Sequence, residues 1–598
     1  MSIHESEPLA VCAAAGMRLR LLGEAGPFQV RLVTCHDEGG LAEVEISLQS
    51  PAPASPTRLQ LRWDMPGVDI GGLWRPDSRS DRSLTPYWGD VVGVNSRACS
   101  HAPVACLFSQ DGRNRLTAAG SDALHGSTMG AAVVEEDGRI FGAWTLFAVP
   151  REPGCAFIAR VRLDRRDVPY HQSLGDAAAW WAAQPGYGPG PVPDRGRRPV
   201  YSTWYAFHKH LDADRILAQC RLSRELGCAA VIVDDGWQTA DATRGYATTG
   251  DWQPLRFPDF PGFVREVREM GMAFLLWYAV PFVGPDSQVY ARLKKCVVER
   301  GRLTMGAHIL DPRFPEVREH LVAIWEQAQA DWALDGFKFD FVDSLWLADE
   351  APRAAAGGRD CGDIDEATVR LLSDAMRRLR ARDAEVLVEF RQSYIGPLMR
   401  TFGNCFRAND CPNDANTNRR STIDIRLLCG STACHSDMLM WHPDEPVASA
   451  ALQVVNVLFS VPQISVLLDR LSPEHLDMVR FWLGWWLEQR DVLLDGALEP
   501  LLPQHLYPVI RASTDAKRVV AVYADGLAPL GTRPPQCCWV VNGTRRNRVI
   551  LECEEETGLR RVTVRDCCGR VVSSSTCRFT VGVHQLAVPP AGLVELVG

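Results

Sequence analysis

The chain has 598 residues, of which 46% are hydrophobic and 23% charged, and its formal net charge is −9. Such a length exceeds one ordinary domain, and the composition is that of a globular protein with ample core. An acidic balance without a basic block argues against nucleic acid or an anionic membrane as partner. No 18-residue apolar run and no leader-like N-terminus is evident, so a cytoplasmic protein without membrane contact is expected.

Nineteen cysteines are an odd number. Most, such as Cys220, Cys228 and Cys429, fall inside apolar patterns, as small buried hydrophobes in a reducing compartment would. The pairs Cys537-Cys538 and Cys567-Cys568 lack metal-ligand spacing and any accompanying His cluster. No metal and no cofactor is therefore expected.

In chain order, residues 1–183 hold short alternating runs (RLRLL, FQVRLVT, AEVEISL, RLQLRW) broken by Gly, Pro, Asp and Ser, which predicts a β-sandwich. Residues 184–199 (QPGYGPGPVPDRGRRP) carry four Gly and five Pro, the composition of a linker. From Val200 strand-like and helical patterns alternate. The strand-like runs are VYSTWYAF, AAVIVDD, AFLLWYAV, GFKFDFV, EVLVEF, CFRAND, DMLMW and QISVLL, separated for the most part by amphipathic helices such as DADRILAQCRLSREL and PEVREHLVAIWEQAQ. Eight such units over 200–500 predict a (β/α)8 barrel, an α/β fold whose rival here is a doubly wound sheet. Strands return after Tyr507 (PVIRAST, RVVAVYA, CCWVVNG, RVTVRD), giving a small C-terminal β-sandwich over 501–598.

A barrel of this kind works at the C-terminal ends of its strands. Acidic residues close three of the strand runs: Asp234-Asp235 the second, Asp340 the fourth, Asp410 the sixth. Period-two alternation sends Lys338 and Asp340 to one side and Phe337, Phe339 and Phe341 to the other. A lysine two residues before a carboxylate keeps it ionised, as a nucleophile requires, although a buried salt bridge would use the same pair. Asp343 falls past the strand and ranks below Asp340. Two opposed carboxylates are the equipment for breaking a glycosidic bond, and strands four and six could hold them at the roughly 5–5.5 Å of a retaining enzyme. On this reading Asp410, buried beside the negative Asp340, has a raised pKa. Trp204, Tyr205, Trp237, Trp252, Trp277 and Tyr278 crowd the same rim and are candidates for stacking on sugars.

The segments VIVDDGWQ (231–238), GDWQP with FP (250–258), FLLWYAVP (274–281), HILDPRFPEVREHL (308–321), DGFKFDF (335–341) and FRANDCPNDA (406–415) resemble glycoside hydrolase family 36, the clan D family of α-galactosidases and related enzymes. They follow the family's order. The resemblance implies Asp340 as nucleophile and Asp410 as acid/base. It further implies Asp234 and Asp235 as the pair binding the axial 4-hydroxyl and the 6-hydroxyl, with Trp277 and Lys338 lining the pocket. Three places depart from the pattern. Arg391, in EFRQSYIGP, stands where the family has a cysteine and a glycine run; Met305 stands near a usual arginine; Ala279-Val280 replace an acidic segment. These changes fall in the part of the pocket near the 2-hydroxyl and the leaving group. Arg391 would either contact substrate there or pair with Glu389 or another rim carboxylate. HSDMLMWH (435–442) adds His435 and Asp437, as capping groups or as extra subsite polarity.

The function expected is hydrolysis of terminal α-D-galactosides in oligosaccharides or other glycosides by double displacement with retention. The alternatives are an α-N-acetylgalactosaminidase, a raffinose- or stachyose-type transglycosidase, and an inactive carbohydrate-binding barrel, which would have no need of both carboxylates. A metal-dependent enzyme on the same fold lacks its His-rich ligand groups here. Family members often assemble, so a homo-oligomer is implied by analogy.

Overall fold

The computed structural model describes residues 7–77, 81–89, 91, 93–300, 302–348, 351, 353–391 and 393–598. The N-terminal alternating runs become strands whose apolar residues face one way: in Leu41–Ala54, Ala42, Val44, Ile46 and Leu48 are buried while the residues between them reach toward solvent. These strands form a seven-stranded and a six-stranded sheet, with Leu19, Leu61, Trp63, Val161 and Leu163 in the core between them. At the other end of the chain a seven-stranded sheet, beginning with Ala497–Leu501, packs on a three-stranded one around Val520, Val540 and Leu551.

Between them lies a closed parallel barrel of eight strands: β1 (Val200–Ser202), β2 (Ala230–Val233), β3 (Ala273–Ala279), β4 (Gly336–Asp340), β5 (Leu387–Arg391), β6 (Cys405–Arg407), β7 (Ala433–Leu439) and β8 (Val461–Ile464). Pairing of Val200 with Gln463 and of Tyr201 with Ile464 joins β1 to β8, which rules out the open doubly wound sheet. Each of the eight predicted runs overlaps one barrel strand, although β7 and β8 begin before DMLMW and QISVLL and β5 ends one residue past EVLVEF. The flanking sandwiches complete the expected α/β architecture.

Two runs behave differently in detail. VYSTWYAF extends only to Ser202, then turns into a short helix, Trp204–Phe207, because Ser465 Oγ accepts the Tyr205 and Ala206 N–H groups at 2.9 and 3.1 Å. After β5 the described chain forms only a 3-10 turn, Met399–Thr401, where the other strands are followed by an α-helix. The helix Tyr170–Ala182 of the N-terminal sandwich and the Gly/Pro-rich linker cover that side. Arg400, fully buried, donates to Ala178 O at 3.0 Å and its own carbonyl accepts the Gly190 N–H at 2.8 Å. The linker also closes the lower mouth of the barrel: Gly196 lies against Leu387 and Cys405, where a Cβ would come within 2.9 Å of the leucine, and its carbonyl sits 2.8 Å from His435 Nε2.

Cys220, Cys228 and Cys429 are buried, as their patterns predict, and all nineteen cysteines are unpaired thiols. No helix among the described residues is long and apolar enough to cross a membrane.

Candidate active site

Strand β4 sets the centre of the site. Phe337 and Phe339 point outward, stacked on each other at 5.3 Å, with Phe339 4.5 Å from Trp325 on the helix Pro315–Trp332. Lys338 and Asp340 therefore point inward, as period-two alternation requires. Phe341 departs from the prediction. It takes a left-handed conformation (φ 61°), which swings its ring onto Phe282 at 4.5 Å and into the wall of the cavity instead of the outer layer.

A cavity of about 480 Å³ opens at the C-terminal ends of the strands. It brings together seven of the eight predicted site residues: Asp234, Asp235, Trp277, Lys338, Asp340, Arg391 and Asp410. Three larger cavities lie elsewhere. Two, of about 980 and 610 Å³, are at the opposite end of the barrel, near Ala229 and Ala273 and beside Leu334 and Asp335; the third, of about 1080 Å³, is between the two β-domains. None of them touches the strand C-termini, where a (β/α)8 barrel performs its chemistry.

Trp237 is the predicted residue that the cavity does not include. It is fully buried, packed at 5.9 Å on both Trp252 and Trp332 and at 5.3 Å on Tyr278, and its indole N–H donates to Trp277 O at 2.8 Å. Together with Trp252 and Tyr278 it forms an aromatic layer behind the wall, so these three support the site and cannot stack on a ligand in it. Of the predicted rim aromatics, Trp204, Tyr205 and Trp277 line the cavity.

Asp340 is held by groups from β3, from β5 and from the loop that follows β5. Arg391 Nε donates to its Oδ1 at 2.8 Å, Tyr394 O–H lies 3.1 Å from the same oxygen, and Trp277 Nε1 donates to Oδ2 at 3.2 Å. Burial alone would raise this carboxyl. The charges of Arg391, Lys338 and Arg407 reverse the sign and hold it well below the usual carboxylate range. Arg391 thus pairs with the candidate nucleophile itself and not with Glu389, which is buried lower in the barrel against His435 at 2.7 Å.

Asp410 lies three residues beyond β6, its side chain 55% exposed at the cavity mouth, with Arg407 NH2 on its Oδ1 at 2.9 Å. Burial of its surroundings pushes the carboxyl up, but the Arg407 charge outweighs that, and the pKa lies below the ordinary value. The raised pKa expected from sequence is therefore corrected. The cause is Arg407, an inward-pointing residue at the end of β6 that also pairs with Asp437 and whose role sequence reasoning did not find.

At the cavity floor Asp234 pairs with Lys338, and its pKa is raised because burial outweighs that lysine. Asp235 accepts from Gln238 at 2.8 Å and has Lys209 3.4 Å from Oδ2. Burial pushes Asp235 up to about 6. Its Oδ2 accepts no hydrogen bond among the described residues, which leaves an acceptor for a hydroxyl group of a ligand.

Asp437 and His435 lie within β7 rather than at its start, and both are buried away from the cavity. Asp437 accepts from Tyr205 O–H at 2.9 Å and from the Cys411 N–H at 2.7 Å, and Asp414 caps the helix Ala415–Arg426 through the Thr417 N–H at 3.0 Å. Sequence reasoning also missed Tyr394, Tyr246, His208 and Arg244. Arg407 was detectable, as a charged residue closing a strand. The others sit on loops without a periodic pattern.

Residues 193–389 match the family model described as Melibiase. Alpha-galactosidase AgaA of Geobacillus stearothermophilus is 31% identical over 104 residues, covering 17% of this chain and 14% of that protein. The A type blood alpha-D-galactosamine galactosaminidase of Flavonifractor plautii is 28% identical over 177 residues, 26% of this chain and 16% of that protein. These alignments span less than a fifth of either relative's length. Among solved structures, the GH36 alpha-galactosidase AgaA of G. stearothermophilus superposes with a TM-score of 0.65 at 15% identity, over 97% of this chain and 83% of that one. The alpha-galactosidase of Lactobacillus brevis gives 0.63 at 14% identity, over 97% and 86%. The motifs read from the sequence lie largely inside the matched segment. Residues 193–389 thus resemble the melibiase family, within a fold like that of the glycoside hydrolase family 36 alpha-galactosidase AgaA.

Proposed function

We propose that this protein is a retaining exo-α-glycosidase that removes terminal α-D-galactosyl groups from oligosaccharides or other glycosides by double displacement. Asp340 is the nucleophile and Asp410 the acid/base. The observation that carries this reading is an Asp340 carboxylate kept ionised by three cations inside a cavity that also holds Asp410 at its mouth. Asp234 and Asp235 at the floor would accept from the 4- and 6-hydroxyls, and Trp277 offers an apolar wall for the C–H face of the ring. The AgaA structure solved in complex with raffinose, with its TM-score of 0.64, fits an oligosaccharide substrate. Unpaired thiols, two of them exposed, fit residence in the reducing cytoplasm.

The test is turnover of p-nitrophenyl α-glycosides of galactose, glucose and N-acetylgalactosamine, with the anomer of the first product followed by NMR. Retention is expected, together with loss of hydrolysis in Asp340→Gly and rescue of that variant by azide. Inversion, or normal activity in the variant, would overturn the assignment.

A second reading, turnover of sugars bearing a 2-amino or 2-acetamido group, has one observation in its favour. Asp340 Oδ1 already accepts from Arg391 and has Tyr394 within reach, so it does not need a 2-hydroxyl as donor. The N-acetylgalactosamine arm of the panel separates the two.

A further inference from the structure

Asp340 Oδ1 is in contact with Tyr394, a residue of the loop that follows β5. The Tyr394 hydroxyl lies 3.1 Å from Asp340 Oδ1 and 3.1 Å from Asp343 Oδ1, and it accepts the Phe341 N–H at 2.8 Å. One buried hydroxyl thus ties the loop after β5 to the loop after β4 at the carboxylate. Neither loop is anchored by a helix of its own at this point: β5 is followed by a 3-10 turn, and β4 by the 3-10 turn Val342–Ser344 before the chain reaches Ile364–Arg382.

Both loops are instead braced from outside the barrel by one turn of the N-terminal sandwich. Arg97 and Ser100 exchange backbone hydrogen bonds at 2.9 and 3.0 Å, which folds residues 97–101 tightly. From that turn Arg97 NH2 donates to Leu345 O at 2.5 Å, and its guanidinium grips Asp365 Oδ1 at 2.6 and 2.8 Å. The His101 N–H donates to Ser393 O at 2.7 Å, one residue before Tyr394, from a backbone at φ 55°. Non-glycine residues in that region cost energy and persist only where surroundings over-determine them. Gly396 lies so close that a Cβ there would stand 2.9 Å from His101 O, and Cys99 Sγ meets Met399 Sδ at 3.6 Å.

We infer that the N-terminal sandwich is part of the catalytic apparatus, with Arg97 as a positioning residue that holds the loops after β4 and β5 where Tyr394 meets Asp340. The inference rests on the reading of Asp340 as nucleophile. Its physical content is that the two loops keep their relative position through contacts with a different domain. Small misplacements of a reacting group are expensive in rate, a shift of about 1 Å costing on the order of a hundredfold.

The test compares Arg97→Ala, Arg97→Lys and Asp365→Asn with Arg139→Ala, whose residue lies on the strand Arg139–Leu146, away from this turn. On p-nitrophenyl α-galactoside, kcat of Arg97→Ala should fall by about ten- to hundredfold with KM little changed, Arg97→Lys should recover part of it, and Arg139→Ala should match wild type. Hydrogen exchange should quicken in 342–346 and 393–399 and stay unchanged in β8 and the C-terminal sheet. Asp365→Asn, which keeps the contact to Leu345 O, should lie between Arg97→Ala and wild type and serves if Arg97→Ala does not fold. Unchanged exchange in both loops overturns the inference. So does a uniform rise in exchange with kcat and KM worsening together and no recovery by lysine, which is the signature of general scaffolding. A wild type inactive on every α-glycoside defeats the proposed function instead, while the exchange measurements still decide whether Arg97 braces the loops.

Discussion

At the scale of single residues the site is a set of charges that set one another's protonation. Asp340 sits far enough below its ordinary pKa that it stays ionised through mildly acidic pH. Asp410 also lies below its ordinary value, so in the free protein it carries a proton only in acid. With hydrolysis requiring Asp340 ionised and Asp410 protonated, kcat/KM should fall by about tenfold per pH unit above the Asp410 pKa, placing the optimum in the acid range. Arg407→Lys weakens the guanidinium contact, lets the Asp410 pKa rise, and should move the alkaline limb to higher pH. A profile flat to neutrality would show that another group donates the proton. Asp235 gives a second prediction. A buried polar group left without its hydroxyl partner costs about 1–3 kcal/mol, so an α-glucoside, lacking the axial 4-hydroxyl, should have a kcat/KM roughly five- to 150-fold below that of the α-galactoside. Equal values would remove Asp234 and Asp235 from sugar recognition.

At the scale of elements, β4 carries the nucleophile candidate and is squeezed between its neighbours. A Cβ on Gly336 would stand 2.4 Å from Leu387 O, 2.8 Å from Leu387 Cβ and 3.0 Å from Leu275 Cγ. The glycine is there to let three strands close up, since its own backbone is ordinary. Gly336→Ala forces β4 and β5 apart at a cost of about 1–3 kcal/mol and should lower the melting temperature. Because Asp340 and Arg391 end those two strands, kcat should fall as well. A stable, fully active variant would mean that the barrel relaxes without moving the carboxylate. The loop ends tell a related story. Phe341, held at φ 61°, turns the chain sharply after Asp340 and converts an outward-facing position into cavity wall.

At the scale of the whole molecule, three segments far apart in sequence meet at one buried cluster. Arg82 and Trp74 come from the N-terminal sandwich, Asp424 from the barrel helix Ala415–Arg426, and Tyr507 from the connection between the strands Ala497–Leu501 and Val509–Ser513 of the C-terminal sheet. Arg82 NH2 lies 2.6 Å from Asp424 Oδ1 and 2.8 Å from the Tyr507 hydroxyl oxygen, Tyr507 O–H donates to Asp424 Oδ1 at 2.6 Å, and Trp74 Nε1 donates to the Tyr507 hydroxyl oxygen at 2.9 Å. Removing one partner leaves a buried charge uncompensated, at a cost of about 3–5 kcal/mol. Arg82→Met should therefore split or lower the calorimetric transition, and Arg82→Met with Asp424→Asn should recover part of the loss. Additive losses in the double variant would show that the two residues are not coupled.

What the sequence determined by itself was whatever depends on local period and order along the chain. The eight barrel strands are legible because apolar runs of strand length alternate with amphipathic helices. Lys338 and Asp340 are legible as inward-facing because a strand repeats every two residues, and Phe337 and Phe339 mark the opposite face. The motif order carried the resemblance to family 36. Partnership across the closed barrel was not legible. That Arg391 grips Asp340, that Arg407 also reaches Asp437 of β7, and that Trp237 lies behind the wall instead of on it are consequences of which strands become neighbours and in what register. Tyr394 belongs to the same class, since a loop residue has no period to betray where its hydroxyl will go. Each of these contacts joins groups from different strands or loops, so its geometry exists only once β1 has paired with β8 and the sandwich has packed against the barrel. Electrostatics follows the same rule for the nucleophile candidate: a carboxylate's pKa is set by the charges within a few ångströms, and the largest acting on Asp340, that of Arg391, comes from another strand.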